Sequence, residues 1–401
     1  MKILLCNQYF YPAGGSETMF FKLLNFLKSE DHEIVTLGME SPKNIKIDGV
    51  KSYFTKSYLQ QSKLKIPINR IFNLHAYKVT EKIIEKEKPE LAHFYNTSLI
   101  SPSPIIACLQ HKIPVIKTFN DYEHVCPDSS KTRFGKFCSK EISLIHCLTC
   151  DRQNIKSSLA TVLYYLSFIK FLELAIFRKT VNISSSKSIH DALLQSGIKS
   201  KIVYQSVYLP QKIEKVKHTK NILWAGRISK EKGLIYLIRA MKEVIKELPE
   251  ANLLVAGTGK EEEKIKKIVK TWNLDKNVKF LGWLSKNEIN KLYEDVDFLV
   301  MTPIWQEPFG LIGLEAMAFG KPVISFDAVG PKEIIKNNFN GFLIKCKDSS
   351  GLAKKIIELL KNKEMIEEFS MNARKKAEEF SDKRFFNNIL NIYREQLQRN
   401  L

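Results

Sequence analysis

The chain contains no run of about 20 residues that is both apolar and charge-free, as a helix crossing a bilayer must be, so no membrane-spanning helix is expected. Cysteine is also sparse. Seven in 401 residues do not make a disulfide-dense scaffold, and a reduced, cytosolic setting is expected. No RRM, zinc-finger or helix-turn-helix signature accompanies the basic residues, which argues against a nucleic-acid partner. The opening MKILLCNQYFYP is interrupted too soon for a signal peptide and reads as a first buried strand. Negative charge is the minority sign: 43 Asp and Glu stand against 63 Lys and Arg, a net +20. That excess fits an anionic membrane surface, an anionic substrate or Lys-rich solvated helix faces. The reading taken is a mixture of solvated faces and peripheral contact with the inner face of a membrane.

What is present is a repeating alternation of strand and helix, long enough for two domains. Lys2–Asn7 reads as a strand, Gly14-Gly15-Ser16-Glu17 as its turn, and Met19, Leu23, Leu24 and Leu27 as one helix face. Glu33–Leu37 is a second strand. This is how a doubly wound α/β domain opens. The segment 41–69 reads as irregular, 71–88 as a helix, and 89–94 as turn and strand. His93 falls near that strand's end, as a ligand-edge residue or a core histidine. Pro114–Phe119 is another buried strand, leading into Asn120-Asp121-Tyr122-Glu123. The plain role of Asp121 is to cap the next turn. Short strands follow at 181–186 and 202–207, and the charged stretch KIEKVKHTK marks a boundary near 205–220.

The second half restarts the rhythm. Asn221–Ala225 is a strand, Gly226–Gly233 its loop, and a helix follows from Leu234. Arg227 and Lys232 therefore sit where strands deliver ligands in this architecture, a bidentate phosphate fork beside a point charge. Asn252–Ala256 runs into Gly257-Thr258-Gly259, Val278–Trp283 is strand and turn, and Phe298–Met301 is a strand. Asp295-Val296-Asp297 has the spacing of a D-x-D metal motif but falls at the amino end of that strand, away from the ligand edge.

The densest stretch is MTPIWQEPFGLIGLEAMAFGKP, residues 301–322. Pro308 cannot sit inside a helix, so Glu307 belongs to the loop before it. Gly310 admits close backbone approach, and the amides at the helix start favour an anion. Glu315 lies just over one turn further in, with its side chain directed back toward that start. Carboxylates accept hydrogen bonds from sugar hydroxyls, and backbone amides donate to phosphate. Together they suit a sugar nucleotide.

The E-x7-E spacing of Glu307 and Glu315, set in EPFG…EAMA…GKPV, with G-R-x5-K-G at 226–233, resembles the retaining family 4 glycosyltransferases. The resemblance implies a GT-B fold: two Rossmann-like domains facing a cleft, an acceptor-binding domain over 1–210, a nucleotide-sugar domain over 211–380, and a last helix, 381–401, crossing back. It implies transfer from a nucleoside-diphosphate sugar to a glycan, lipid-linked sugar or lipid hydroxyl, with retention, in polysaccharide or glycoconjugate biosynthesis, and no catalytic metal or cofactor. Arg227, Lys232, Gly226, Gly257 and the Phe309-Gly310-Leu311 corner would hold the diphosphate, Glu307 the donor sugar and Glu315 the ribose. Gly15 would add an amide from the first domain. Phe280 and Leu281 match the nucleobase pocket, with strand core as the plain alternative. Glu17, His93 and Asn120 fall on the acceptor or sugar side. Asn120 stands where the family has histidine, so no base is expected there, and the resemblance leaves Asp121 as the candidate for contacting the reacting centre. A sugar-nucleotide epimerase or hydrolase, and a non-enzymatic basic binding protein, are the alternatives.

Two features stand apart. Cys126, Cys138, Cys147 and Cys150 fall within 25 residues with one C-x-x-C, a candidate structural zinc site, a disulfide set or buried thiols. Residues 157–179 are strongly apolar but carry Lys170 and Glu173, which suits an interfacial or a buried helix, not a span.

Overall fold

A computed structural model describes residues 1–12, 14–60, 69–70, 72–126, 129, 131–133, 136–138, 168–213 and 216–399. The chain forms two compact units. One comprises Met1–Phe134, Cys138–Gln205 and Phe385–Leu401; the other Gly135–Phe137 and Ser206–Arg384.

The first unit is built on seven parallel strands: β1 (Lys2–Cys6), β2 (Glu33–Met39), β3 (Lys51–Thr55), β4 (Leu91–Phe94), β5 (Val115–Phe119), β8 (Val181–Ser184) and β9 (Lys201–Ile202). Two further strands, β6 (Thr132–Arg133) and β7 (Lys136–Phe137), pair only with each other. The sheet order is β3-β2-β1-β4-β5-β8-β9, the doubly wound pattern in which the chain leaves from a central strand in both directions. A parallel sheet is covered by helices on both faces, which is why Ile3, Leu4, Leu5 and Cys6 are all fully buried with no polar alternation.

Three expectations are corrected. Residues 41–69 are not uniformly irregular: β3 pairs with β2 along Val35–Met39, and Tyr58–Gln60 forms a single 3-10 turn. β3 is an edge strand, half-exposed, with only Tyr53 and Phe54 to bury, so its sequence lacks the apolar run that marks the inner strands. The next helix starts at Leu74, not at 71, because Asn73 caps it by accepting from the Ala76 amide at 3.2 Å. It ends where Lys88 turns left-handed before Pro89. The strand expected over 202–207 is only two residues long. Within the apolar stretch 157–179 the described helix is Phe168–Phe177. Phe177 is buried against Phe119 and His124, with ring centroids 5.2 and 4.9 Å away; residues 157–167 lie outside the described ones. Among the described residues no helix is long and apolar enough to cross a membrane.

The second unit is a six-stranded parallel sheet ordered β12-β11-β10-β13-β14-β15, with β10 Asn221–Ala225, β11 Asn252–Ala256, β12 Val278–Gly282, β13 Phe298–Met301, β14 Val323–Phe326 and β15 Gly341–Ile344. The helix Leu311–Ala318 lies within its core. A Cβ on Gly313 would stand 2.8 Å from the Met301 sulfur, which explains a small residue in mid-helix.

The last helix, Asp382–Gln398, supplies Phe385, Ile389, Ile392 and Tyr393 to the core of the first unit. Phe386 stacks flat on Phe26, with centroids 3.8 Å apart. Each such buried side chain contributes roughly 1.5–3 kcal/mol, enough to hold a 17-residue helix that is otherwise polar.

Candidate functional site

At the carboxyl edge of the second sheet the loops after β10, β11 and β12 interlock through backbone. The Gly226 amide donates to Ala256 O at 2.9 Å, Ile228 N to Thr258 O at 2.8 Å, and Gly257 N to Gly282 O at 2.6 Å. Gly257 has φ +132°, and a Cβ there would lie 1.9 Å from Gly226 O. No side chain fits at that corner, so two backbones meet where the sequence has glycine. Arg227 follows, exposed at the edge.

Lys232 ends the 3-10 turn Lys230–Lys232. That turn is fixed to the loop after β13: Thr302 Oγ1 donates to Lys232 O at 3.0 Å and Ile304 N to Glu231 O at 2.9 Å. The clamp brings Lys232 Nζ to 2.6 Å from Glu307 Oε2, where Trp305 Nε1 also donates at 3.1 Å. The ammonium stands 5.5 Å over the Trp305 ring. The Glu307 backbone is held in turn by Gly330, whose amide donates to Glu307 O at 2.9 Å. Two residues that are 75 apart in sequence thus form one pair, cation and hydroxyl acceptor side by side.

The helix Leu311–Ala318 begins at Gly310, φ +93°, with no side chain capping it. Glu315 sits on this helix and pairs with Lys286, Nζ to Oε1 2.5 Å. The Phe309 ring is buried, 5.6 Å from Phe380. Phe280 and Leu281 are adjacent on β12 and point to opposite faces. Phe280 packs on the core below the Lys266 ammonium, at 5.6 Å, while Leu281 is exposed. The structure does not bring these two together.

Asp295 and Asp297 are not a metal pair. Asp297 accepts from the Thr219 and Lys220 amides at 2.9 and 2.7 Å, and Asp295 pairs with Lys217 at 2.8 Å. They tie down the opposite end of the sheet. Among the described residues no cluster of three metal-ligating side chains occurs. Of the candidate zinc ligands, Cys126 and Cys138 are half-buried, and Cys147 and Cys150 lie outside the described residues.

In the first unit, Gly15 opens the helix Gly15–Ser29, again with no side-chain cap. Glu17, one turn in, is buried and accepts weakly from Asn7 Nδ2 at 3.4 Å; burial holds its carboxyl above the ordinary range. Asn120 donates to Ser16 Oγ at 3.0 Å and accepts from Gln205 Nε2 at 3.3 Å. It is a hydrogen-bonded positioner of the glycine turn. Asp121 accepts from the Glu123 amide at 2.9 Å and so caps the following turn. Burial, and next the Asp121 charge, push the Glu123 carboxyl up.

His93 is corrected from the acceptor side to the core. It is fully buried, bonded through Nδ1 to Tyr393 OH and through Nε2 to Thr118 Oγ1, both at 2.7 Å. Burial, then the nearby Lys117 charge, drive its pKa down to about 3, so it stays neutral. Lys117 is itself buried on β5, its ammonium bonded to Tyr95 O and its pKa pulled down to about 8 by burial.

Lys286, Trp305, Ser16, Gln205 and Lys117 were not legible as site residues. Lys286 carries one local signal: it follows Ser285 in S-K-N-E, a capping box in which Ser285 N donates to Glu288 Oε2 at 2.7 Å. That signal locates a helix start and says nothing of Glu315.

Residues 209–376 match the family Glycosyl transferases group 1. Over 176 residues the chain is 33% identical to an uncharacterized glycosyltransferase of Methanocaldococcus jannaschii, a match covering 44% of this chain and 45% of that protein. Over 166 residues it is 32% identical to the poly(glycerol-phosphate) alpha-glucosyltransferase of Bacillus subtilis, covering 41% of this chain and 24% of the other. The match thus spans less than half the length of either relative. The crystal structure of Anabaena HepE in complex with UDP is similar over 98% of this chain and 100% of that one, with TM-score 0.70 at 18% identity. At that identity the likeness establishes the fold, two Rossmann-like α/β domains of the GT-B class.

Proposed function

We propose that the protein is a glycosyltransferase that moves a sugar from a nucleoside-diphosphate sugar to an acceptor hydroxyl, with retention at the anomeric carbon. The observation that carries this reading is the Lys232–Glu307 pair, 2.6 Å, at the uncapped start of the Leu311–Ala318 helix. A cation, helix amides and a carboxylate at one point suit a ligand carrying both phosphate and hydroxyls. The match of residues 209–376 to Glycosyl transferases group 1 supports it.

In this reading negative charge grows on the leaving diphosphate. Arg227, Lys232 and the Gly310-Leu311 amides are arranged to stabilise it, the kind of preorganised donor set worth several kcal/mol. When phosphate draws off the Lys232 ammonium, Glu307 is released to accept donor-sugar hydroxyls. Glu315 accepts from the ribose. The acceptor oxygen attacks the anomeric carbon on the face the diphosphate leaves, the C–O bond to the diphosphate breaks, and the acceptor proton passes to the departing phosphate oxygen. No side chain of the second unit's carboxyl edge serves as nucleophile in this scheme. Trapping a covalent glycosyl–enzyme adduct would therefore sink the mechanism.

The acceptor is a glycan, lipid-linked sugar or lipid, and the setting polysaccharide or glycoconjugate synthesis. The name of the Bacillus relative, which acts on poly(glycerol phosphate), supports a polymeric acceptor. The net +20 charge supports peripheral contact with an anionic membrane. The test is a thermal-shift screen with UDP, GDP, ADP and their sugar conjugates, with and without magnesium, followed by product analysis by NMR. A magnesium-independent shift with one nucleotide and a glycoside of unchanged anomeric configuration is the expected result. No shift with any of them would remove the donor-site reading, and a product with no acceptor attached would make the protein an epimerase or hydrolase.

A further inference from the structure

Resting on the donor-site reading above, we infer that Lys286 is a donor-positioning residue: it holds the Glu315 carboxylate in place and cancels its charge, so that Glu315 can accept ribose hydroxyls beside a polyanionic ligand. The pair is short, 2.5 Å from Lys286 Nζ to Oε1 of Glu315. A carboxylate has about four acceptor sites over two oxygens, so one ammonium leaves Oε2 for a hydroxyl. Glu315 is largely buried, with 15% of its side chain exposed, while Lys286 is 48% exposed. An unpaired carboxylate at that depth would repel a nucleoside diphosphate; the paired one presents an acceptor without net charge.

The geometry is built in. Lys286 is the first residue of the helix Lys286–Glu294, whose start is set by the reciprocal Ser285–Glu288 capping box. The same helix is tied to the Glu315 helix through Tyr293, whose hydroxyl donates to Ile312 O at 3.4 Å and whose ring stacks on Phe319 at 5.1 Å. The two backbones that carry the pair are therefore fixed relative to each other. Lys286 differs from Lys232 in what it leaves open. Lys232 lies beside the phosphate-binding loop and exchanges its carboxylate for phosphate. Lys286 starts a helix of its own and keeps its partner when the ligand is bound.

The experiment is isothermal titration of UDP, GDP and ADP into wild type and the variants Lys286→Met, Lys286→Arg, Glu315→Gln and the Lys286→Met/Glu315→Gln double variant, at low and high salt. For the nucleotide that wild type binds, Lys286→Met should weaken affinity about tenfold, a change of one decade in Kd. Lys286→Arg should restore it to within about twofold, since charge is kept. In the Glu315→Gln background the Lys286→Met effect should collapse to about twofold or less, because no carboxylate remains to be neutralised. Raising salt to roughly 0.5 M should shrink the wild-type to Lys286→Met ratio, since exposed charge is screened. In turnover assays the variant should raise the donor KM and leave kcat within about threefold, the sign of ground-state binding. A merely structural lysine would change melting temperature without this salt and Glu315 dependence. Wild type binding a nucleotide while Lys286→Met binds it equally well would overturn this inference alone. Wild type binding none of the three would overturn it together with the donor-site reading.

Discussion

The two units share one scaffold and carry opposite chemistry at the carboxyl edges of their sheets. Each is a parallel sheet wound outward from a central strand, with a glycine turn after its first strand and an uncapped helix start at the edge. In the second unit the edge is cationic and paired: Arg227 is exposed, Lys232 is matched by Glu307, and Lys286 by Glu315. In the first unit the edge is built from amides and acids. Asn7, Asn120 and Gln205 hydrogen-bond around the turn, and Glu17 and Glu123 have carboxyls pushed up by burial. Two basic groups of this unit, His93 and Lys117, are buried inside the sheet layer, and His124 after β5 is buried against Glu173. Function on such a scaffold lies in the loops and not in the sheet. The cationic edge suits a phosphorylated donor, and the amide-rich edge suits neutral hydroxyls.

That contrast can be broken in order of effect. Phe385→Ala removes a core side chain that the last helix lends to the first unit. It should cost about 3–5 kcal/mol of that unit's stability, read as a lower calorimetric transition, while nucleotide affinity stays within about twofold. A matching loss of affinity would show that the units do not divide their roles this way. Next, Lys232→Ala and Arg227→Ala should each lower turnover by about 10²-fold, some 2.7 kcal/mol, with melting temperature nearly unchanged. Near-wild-type rates in both would leave the second edge without its assigned task.

A pH titration sharpens the comparison further. His93 has a folded pKa of about 3 against an ordinary value of 6.5, so the unfolded chain binds the proton first. Its contribution is complete above pH 6.5 and is lost as pH falls toward 3, at up to about 1.4 kcal/mol per pH unit. Between pH 6.5 and 5, before most carboxylates titrate, wild type should lose stability in urea melts while His93→Leu stays flatter. His93→Leu should also be weaker at pH 8, since the Thr118 and Tyr393 hydroxyls lose their partner. Equal pH slopes would mean that His93 is not the buried neutral base described here. The smallest effect belongs to Gly14→Ala. Gly14 has an extended backbone, φ −178°, and an added Cβ would meet only Glu17 Oε2, at 3.4 Å. Stability should change by less than about 0.5 kcal/mol. The same change at Gly257 would drive a Cβ into Gly226 O, so a soluble, donor-binding Gly257→Ala protein would contradict the interlocked loop corner.

Legibility followed the range of the interactions. The strands Asn221–Ala225, Asn252–Ala256 and Phe298–Met301 and the helix start at Leu234 fall where the sequence placed them, since apolar runs and glycine or proline stops are local signals. β3 was missed because an edge strand needs few apolar residues. A phenylalanine in a ligand loop and one in a core look alike in sequence until the facing surface is known. His93 looked like a ligand-edge residue because its partner Tyr393 is 300 positions away.

The sequence alone thus determined the α/β class, the two-unit plan and the chemical kit of glycines, basic residues and paired glutamates, because periodicity and spacing act over a few residues. Tertiary structure decided which members of that kit meet. The Thr302 and Ile304 clamp set Lys232 against Glu307, the capping box and Tyr293 set Lys286 against Glu315, and the last helix turned His93 into core. Those contacts join residues far apart in the chain, and their energy exists only once the sheets that bring them together have formed.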